Sequence, residues 1–378
     1  MIRLNNARLV LEDEIMHGTI VINNGLIVDI LPGKTYSTTA HDIDLGNDFL
    51  TPGLIDLHTD NLERQVSPRT KARWPSRSAL MAHDAHCAVS GITTVFDALC
   101  LGDIGFEKDR NQTFADGLTD LHAMTGTDLL KAEHFLHLRC ELLAPEMPGL
   151  LARTLNDPLV KLISIMDHSP GVGQYADLEK YRQLRRSEGF PHDQIEQKID
   201  EAQSKRDTYS IPHREQVLDL LRNRHIPLAS HDDRTIEEIE KNYDDGITIS
   251  EFPVSMEAAR HAKTKGIRSI AGAPNIVRGG SHSGNIAAID LIREGLLDAL
   301  ASDYVPAAMM EAAFACVHNH VLSMQAAIAL VSSGPAALVG FTDRGKIAIG
   351  LRADLVRVRV HEYLPIVRAV WRAGERVA

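Results

Sequence analysis

Residues 52–61, with the sequence PGLIDLHTDN, carry the clearest indication of the fold of this chain. A turn-forming Pro-Gly pair precedes a short apolar run, and a histidine and an aspartate stand where that run ends. Side chains two positions apart in a strand point to the same side, so His58 and Asp60 share a face that Thr59 does not. A buried strand that ends in two such side chains is typical of an active-site strand in a parallel barrel.

Seven further apolar runs follow, and each leads into polar residues and then a helical pattern. They are TTVFDAL (93–99), FLHLRCEL (135–142), KLISIMDH (161–168), IPLASHD (226–232), ITISEFPV (247–254), RSIAGAP (268–274) and LLDALASDY (296–304). This alternation is typical of parallel strands that helices bury on both faces. Together with residues 54–60 it predicts an α/β fold, a (β/α)8 TIM-like barrel. A doubly wound sheet is disfavoured because the sequence lacks a glycine-rich dinucleotide fingerprint after a strand.

Both ends of the chain carry short segments of strand character. IRLNNARLVL and GTIVINNGLIVDI stand near the start, and ADLVRVRV and AVWRAGERVA stand near the end. The Asn-Asn-Gly triplet at residues 23–25 lies between apolar runs and indicates a hairpin. We therefore predict a small β-sandwich domain formed from residues 1–50 and 345–378. The barrel is expected to occupy residues 51–344.

One connection within the barrel region, residues 169–225, is long and rich in charge. A pair of solvated helices would explain its composition without any function. An insertion that covers the barrel mouth is the functional alternative, because long connections in compact domains often form lids or binding loops.

The composition excludes several classes of protein. The 378 residues include 40 lysines and arginines against 51 aspartates and glutamates, which gives a net charge of -11. A nucleic-acid surface would need a basic excess, and no apolar run approaches the roughly 18 residues of a membrane span. The 4 cysteines form no CxxC pair, and the N-terminus lacks a signal-peptide pattern. We therefore expect a cytoplasmic homo-oligomer that acts on a small molecule, without a nucleic-acid or membrane partner.

Strand after strand in this pattern ends in a side chain of the kind that binds metals. Because the carboxyl ends of barrel strands meet at one mouth, these side chains are expected to converge. The candidate ligands are His58, Asp60, Glu141, His168, His231 and Asp303. Mixed imidazole and carboxylate ligands suit one or two divalent ions of zinc, manganese or iron, and not calcium. Each residue alone could be structural. Without a metal ion, however, burying six polar or charged side chains at the strand ends would cost considerable free energy.

A glycine-rich loop with one arginine indicates a phosphate site. In the sequence NIVRGGSHSGN (275–285), consecutive glycines would let backbone N–H groups approach an anion, and the arginine would add a bidentate donor. The predicted substrate-binding residues of this loop are Arg278, Gly279, Gly280, Ser281, His282 and Ser283. A second basic group, Arg69 and Lys71, follows the first strand; a solvated surface run is the alternative interpretation for it.

These motifs resemble the amidohydrolase superfamily over nearly the whole chain. The resemblance is carried by PGLIDLHTDN, the strand-end histidines, ASDY and the terminal GKIAIGLRADLV. Most members of that superfamily have an HxH motif on the first strand, whereas this chain has His58-Thr59-Asp60. HTDNLERQVSPR, GITTVFDAL, MDHSPG and GAPNIVRGGSHSGN resemble more closely the phosphonate-metabolism branch of the superfamily, whose HTD motif agrees with this chain.

The resemblance implies a metal-dependent phosphoanhydride hydrolase. Its expected substrate is the phosphorylated sugar phosphonate α-D-ribose 1-methylphosphonate 5-triphosphate, which would be cleaved to the 5-phosphate and pyrophosphate in phosphonate catabolism through the carbon–phosphorus lyase pathway. The expected allocation is His58 and Asp60 for one ion, His168 and His231 for the other, Glu141 bridging or completing the set, and Asp303 binding an ion. A single-ion version that uses Glu141, His168 and His231 stays open at this point.

The same hypothesis gives three residues catalytic roles. Asp303 would hold the attacking water and accept its proton, and Arg278 and His282 would offset charge on the departing pyrophosphate. Two alternatives remain on the sequence alone. The chain could hydrolyse a carbon–nitrogen bond as a deacetylase or deaminase, or it could be a non-catalytic binding subunit of a phosphonate-processing assembly.

Overall fold

The computed structural model describes residues 1–34, 42–69, 72–103, 109–281 and 285–378. The predicted substrate residues Lys71, His282 and Ser283 lie outside these ranges. In chain order the strands are β1 (Ile2–Val10), β2 (Ile15–Asn23), β3 (Leu26–Pro32), β4 (Asp42–Asp44), β5 (Phe49–Pro52), β6 (Leu54–Thr59), β7 (Ile92–Leu101), β8 (Glu133–Glu141), β9 (Val160–Met166), β10 (Leu228–His231), β11 (Ile249–Glu251), β12 (Arg268–Gly272), β13 (Ala299–Ala301), β14 (Leu355–His361), β15 (Leu364–Arg372) and β16 (Glu375–Arg376). They form two separate sheets, one mixed and one parallel.

Helices connect the strands of the parallel sheet. They are α1 (Asn61–Val66), α2 (Ser76–Val89), α3 (Arg110–Met124), α4 (Met147–Thr154), α5 (Leu178–Ser187), α6 (His192–Leu221), α7 (Ile236–Asp244), α8 (Met256–Thr264), α9 (Ala273–Val277), α10 (Ala288–Arg293), α11 (Ala308–His318), α12 (Met324–Ala329) and α13 (Ser333–Leu338), with a 3-10 turn at Gly173–Tyr175. Among the described residues, no helix combines the length and the apolar character that crossing a bilayer requires.

Strands from both termini form the mixed sheet. Its order is β16-β15-β14-β5-β1-β2-β3, with β4 paired to β1, so the two ends of the chain meet where β5 pairs with β14. The predicted hairpin joins β2 to β3, and its turn residues Asn24 and Gly25 both have positive φ, 50° and 80°. That combination matches the twist of the flanking strands. Buried side chains such as Leu9, Ile20 and Trp371 give the sheet its own core.

The parallel sheet is the predicted barrel, and it contains all eight expected strands. They run in the order β13-β12-β11-β10-β9-β8-β7-β6. The barrel closes where β13 meets β6, because the Asp303 N–H donates to the His58 carbonyl (3.0 Å) and the Asp60 N–H donates to the Asp303 carbonyl (2.7 Å). Leu57 and Phe96 are among the buried side chains that fill the interior. Closure therefore brings the first and last predicted ligand strands side by side.

The long connection forms the two helices that its composition predicts, α5 and α6. Tyr181 of α5 packs against Ile195 and Ile199 of α6, so the pair shares a small apolar core. The connection also reaches the barrel mouth, since Tyr175 and Arg185 line the central pocket. The insertion is thus a helical pair with one end built into the mouth.

Candidate metal centre

A pocket of about 310 Å³ opens at the carboxyl ends of the barrel strands. Five of the six predicted ligands line it: His58, Asp60, His168, His231 and Asp303. Its volume lies in the range of small-molecule sites, and its position is where barrel enzymes carry their chemistry. The pocket therefore brings together the side chains that the sequence pattern singled out.

The first ligand cluster consists of His58, Asp60 and Asp303. His58 Nε2 lies 3.5 Å from Asp60 Oδ1, and both residues stand at the end of β6. Asp303 joins them from β13 through the closing hydrogen bonds, with φ at 55°. A residue in this left-handed region redirects the chain, and aspartate tolerates that region better than most residues. The cluster offers one nitrogen and two carboxylates to a single ion.

The second ligand cluster consists of His168, His231 and Asp232. The ring centroids of His168 and His231 are 5.3 Å apart. The His231 ring is also stacked on that of His58, with 5.9 Å between the centroids. Asp232 follows β10 directly and has φ at 59°, which makes its backbone depart from the strand as that of Asp303 does. This residue was not among the predicted ligands, and regular strand alternation would put it on the face opposite to His231.

A buried carboxylate, Glu251, joins the two clusters. Its Oε1 is 2.7 Å from His58 Nδ1 and its Oε2 is 2.9 Å from His231 Nδ1. The residue ends β11 and is completely buried. Glu251 was not among the predicted ligands, although a glutamate at the end of a barrel strand, in the motif ISEFP, was a signal that could have identified it.

Glu141 lies next to the second cluster rather than within it. Its Oε2 is 2.6 Å from His168 Nδ1, and the carboxylate is completely buried at the end of β8. This contact suits a residue that orients the imidazole. The predicted role of Glu141 as a ligand that bridges or completes the set stays a prediction.

The donor chemistry of the two clusters fits a divalent transition metal. His58, His168 and His231 each present Nδ1 to a buried carboxylate. A carboxylate accepts hydrogen bonds, so each Nδ1 carries a proton, and in the neutral ring Nε2 presents its lone pair to an ion. Carboxylate–histidine pairs of this kind fix the tautomer and the ring orientation of metal ligands. Mixed nitrogen and oxygen donors suit zinc, manganese or iron(II).

Burial and close charges shift the pKa values in the first cluster. Burial lowers the pKa of His58, but the charge of Glu251 together with hydrogen bonds to Asp60 and Glu251 raises it to about 10. Burial, and then the charge of Asp60, raise the pKa of Asp303 to about 7. Burial raises the pKa of Asp60, but the charge of the Arg139 guanidinium, whose Nη1 donates to Asp60 Oδ1 (2.7 Å), together with the hydrogen bond and charge of His58 holds that pKa far below its usual range. An ion at His58 would displace a proton, so metal affinity should weaken in acid.

The predicted phosphate loop faces the same pocket. Arg278, Gly280 and Ser281 line it, and Arg278 follows α9 directly. Gly279 and Gly280 have φ at 80° and 150°, values that favour glycine, so the backbone turns here as the pattern requires. Arg278 Nη1 lies 3.5 Å from the Tyr304 hydroxyl, beside the first ligand cluster.

Arg69 is placed differently. It is exposed, forms an isolated strand bridge with Ala72 and is not among the residues that line the pocket. Its predicted substrate contact is therefore not supported by its position, which fits a solvated surface charge. Three arginines that the sequence analysis did not select, Arg110, Arg139 and Arg185, line the pocket instead.

Imidazole and carboxylate side chains gathered at the mouth of a (β/α)8 barrel are typical of a metal-dependent barrel hydrolase. The chain belongs to the amidohydrolase family, whose sequence profile matches residues 196–377. It is also 40% identical, over 377 residues that cover 99% of each chain, to α-D-ribose 1-methylphosphonate 5-triphosphate diphosphatase of Escherichia coli strain K12. These comparisons confirm the family resemblance that the motifs indicated.

Solved structures share the fold. The 5-methylcytosine deaminase of Klebsiella pneumoniae with 5-fluorocytosine superposes with a TM-score of 0.67 at 14% identity, over 100% of this chain and 97% of that one. The N-acetylglucosamine-6-phosphate deacetylase of Pasteurella multocida gives a TM-score of 0.65 at 12% identity, over 99% of both chains. At these identities the similarity establishes the barrel with its terminal sheet and does not identify a substrate.

A buried polar network lies behind the first ligand cluster. Asn61 Nδ2 donates to His83 Nδ1 (2.8 Å), and His83 Nε2 donates to Asp97 Oδ1 (2.8 Å). Asp97 Oδ2 accepts from His134 Nδ1 (2.8 Å), whose Nε2 is 3.2 Å from Asp84 Oδ1. Every one of these imidazole nitrogens has a hydrogen-bond partner, so we interpret the group as a structural network and not as a third ligand cluster. The network supports Asn61, which directly follows Asp60 of the first ligand cluster.

Because of this network, we expect the free energy of unfolding to decrease at high pH. Burial lowers the pKa of His134, but the charge of Asp97 together with hydrogen bonds to Asp84 and Asp97 raises it to about 9. The stabilisation by protonated His134 is complete below about pH 6.5, the pKa of histidine in the unfolded chain. It is lost as the pH rises through about 9, the pKa in the folded protein. His134→Gln leaves Asp97 buried without its cation, so we expect a loss of about 3 kcal/mol near pH 7.

Thermal melts between pH 7 and 10 test this expectation. Over this pH range the melting temperature of the wild type should decrease more than that of His134→Gln. The control is His122→Gln, because His122 also contacts an aspartate (Nε2 to Asp157 Oδ2, 2.5 Å) but is about half exposed. Parallel pH curves for the wild type and His134→Gln would show that the buried pair does not titrate as described.

Proposed function

We propose that this protein is a divalent-metal-dependent diphosphatase of phosphonate catabolism. It would hydrolyse α-D-ribose 1-methylphosphonate 5-triphosphate to the 5-phosphate and pyrophosphate, in the carbon–phosphorus lyase pathway. The observation that carries the proposal is one pocket that holds both ligand clusters and the Arg278 glycine loop. The relative that shares 40% of its residues is named for this reaction, and the match spans 99% of both chains.

The two clusters explain how water would be activated. Ions held by them would acidify water and offset the negative charge of phosphate oxygens. Asp303 sits at the closing seam of the barrel beside His58 and Asp60, in position to orient a water molecule and accept its proton. Glu251 and Glu141 would keep the imidazoles aligned from behind.

The glycine loop would hold the leaving group. Arg278 and the backbone around Gly279 and Gly280 approach the pocket from the β12 side, where they can bind the two outer phosphates. The phosphorus that remains over the ligand clusters is then the one bonded to the sugar. The contributions of His282 and Ser283 to this loop stay predictions, as do the cytoplasmic location and the homo-oligomer.

Product analysis separates this function from its rivals. Purified protein with manganese or zinc should release pyrophosphate from the sugar triphosphate, and should do so faster than from nucleoside triphosphates. Cytosine and N-acetylglucosamine 6-phosphate test the carbon–nitrogen alternative, and release of ammonia or acetate at a comparable rate would favour it. Protein that binds the sugar triphosphate without turning it over in the presence of metal would be the non-catalytic subunit.

A further inference from the structure

Arginine side chains line the metal pocket from two opposite sides. The barrel order places β12 diametrically across from β8, with β7 and β9 next to β8. Arg278 follows β12, whereas Arg110 follows β7 and Arg139 lies on β8. Arg185 belongs to the insertion that follows β9. The ligand clusters therefore lie between one cationic loop and a facing group of three arginines.

One arginine of the facing group has a role within the metal centre. Arg139 donates from Nη1 to Asp60 Oδ1 (2.7 Å) and from Nε to Met166 Sδ (3.2 Å). It thus supports a ligand of the first cluster. Arg110, whose Nη1 donates to Cys100 Sγ (3.5 Å), and Arg185 line the pocket on the same side.

Arg185 is held in an unusual setting for a cation. The residue is only 9% exposed, and its guanidinium lies 5.0 Å from the Tyr181 ring and 5.8 Å from the Tyr175 ring. Its Nη1 donates to Glu188 Oε2 (2.9 Å), on a side chain that is 40% exposed. Burying an arginine is costly, and aromatic faces with one carboxylate offset that cost while fixing its orientation. A fixed guanidinium facing a pocket is suited to bind a tetrahedral oxyanion.

The proposed substrate carries two anionic ends, and the pocket carries two cationic sides. If Arg278 holds the outer phosphates, the ribose and its anomeric phosphonate extend toward the opposite side of the clusters. We propose, building on the proposed function, that Arg185 and Arg110 form an anion subsite for the methylphosphonate group. The insertion at residues 169–225 would then determine substrate specificity, because it supplies Arg185.

A comparison of two substrates tests the subsite directly. Ribose 5-triphosphate has the same triphosphate but a hydroxyl in place of the anomeric phosphonate. Ribose 5-triphosphate cannot make the charge-assisted contact, so the wild type should prefer the phosphonate substrate by about tenfold or more in kcat/KM. Arg185→Gln should reduce kcat/KM for the phosphonate substrate about tenfold more than for ribose 5-triphosphate, mainly through KM.

Two further variants complete the experiment. Arg110→Gln, on a different element, should show the same selective loss. Arg182→Gln should not, because Arg182 lies on the same helix as Arg185 but pairs with Glu196 (2.7 Å) away from the pocket. Equal losses on both substrates in both pocket variants would overturn the subsite and leave the diphosphatase function standing. Absence of pyrophosphate from the wild type with either substrate would remove the proposed function itself.

Discussion

Asp303→Asn is expected to lower kcat by about 10²-fold or more, which is the effect of losing a general base. Asparagine has nearly the same shape and tolerates the positive φ of 55° at this position, so the closing hydrogen bonds between β13 and β6 should persist. What is lost is a carboxylate that can accept a proton next to His58 and Asp60. Steady-state kinetics, with the bound metal measured in parallel, would establish the effect.

The matched control is Asp298→Asn near the opposite end of the same strand. Asp298 Oδ2 accepts from the Ser269 N–H (2.9 Å), at the amino end of β13 and away from the pocket. This variant should keep a kcat close to that of the wild type. If Asp303→Asn with normal metal content retained more than about one tenth of kcat, Asp303 would not be the proton acceptor.

Glu251→Gln should weaken metal binding about 10- to 100-fold, the range found when a carboxylate behind a histidine ligand is removed. One carboxylate here holds both His58 and His231, so a single change disturbs the two clusters together. The purified variant should contain less metal than the wild type and should regain part of its activity when manganese or zinc is added in excess. Metal analysis and a titration of activity against added ion provide the measurement.

Asp233→Asn is the control for this experiment. Asp233 is also buried, but its carboxylate accepts hydrogen bonds from Ser230 Oγ (2.5 Å) and Asn242 Nδ2 (2.8 Å) instead of from an imidazole. Its loss should leave metal affinity near the wild-type value. A Glu251→Gln protein that retains full metal and full activity after dialysis against a chelator would contradict the orienting role of Glu251.

The fold was predictable because its signal is local. Each barrel strand is a short apolar run followed by a helical pattern, and eight such runs are visible without any knowledge of contacts. The convergence of the candidate ligands was predictable for the same reason, since a barrel brings every strand end to one mouth. His58, Asp60, His168, His231 and Asp303 all line the pocket that this reasoning requires.

What the sequence did not reveal depends on contacts between distant residues. Asp232 reaches the second cluster because its φ of 59° breaks the strand alternation, and no pattern of side-chain types encodes that angle. Glu251 matters because one carboxylate spans two imidazoles from other strands. Arg185 was hidden in a charged helix, where only the packing of the insertion against the mouth separates it from its solvated neighbours.

The central claim concerns which phosphoanhydride bond is hydrolysed. Hydrolysis of the sugar triphosphate in ¹⁸O-labelled water tests that claim most directly. Mass spectrometry of the products shows which phosphorus received the oxygen of water. If Arg278 holds the outer phosphates and the ligand clusters lie under the phosphorus next to the sugar, the label appears in the sugar 5-phosphate and the pyrophosphate stays unlabelled. Labelled orthophosphate as the first product would contradict the diphosphatase assignment.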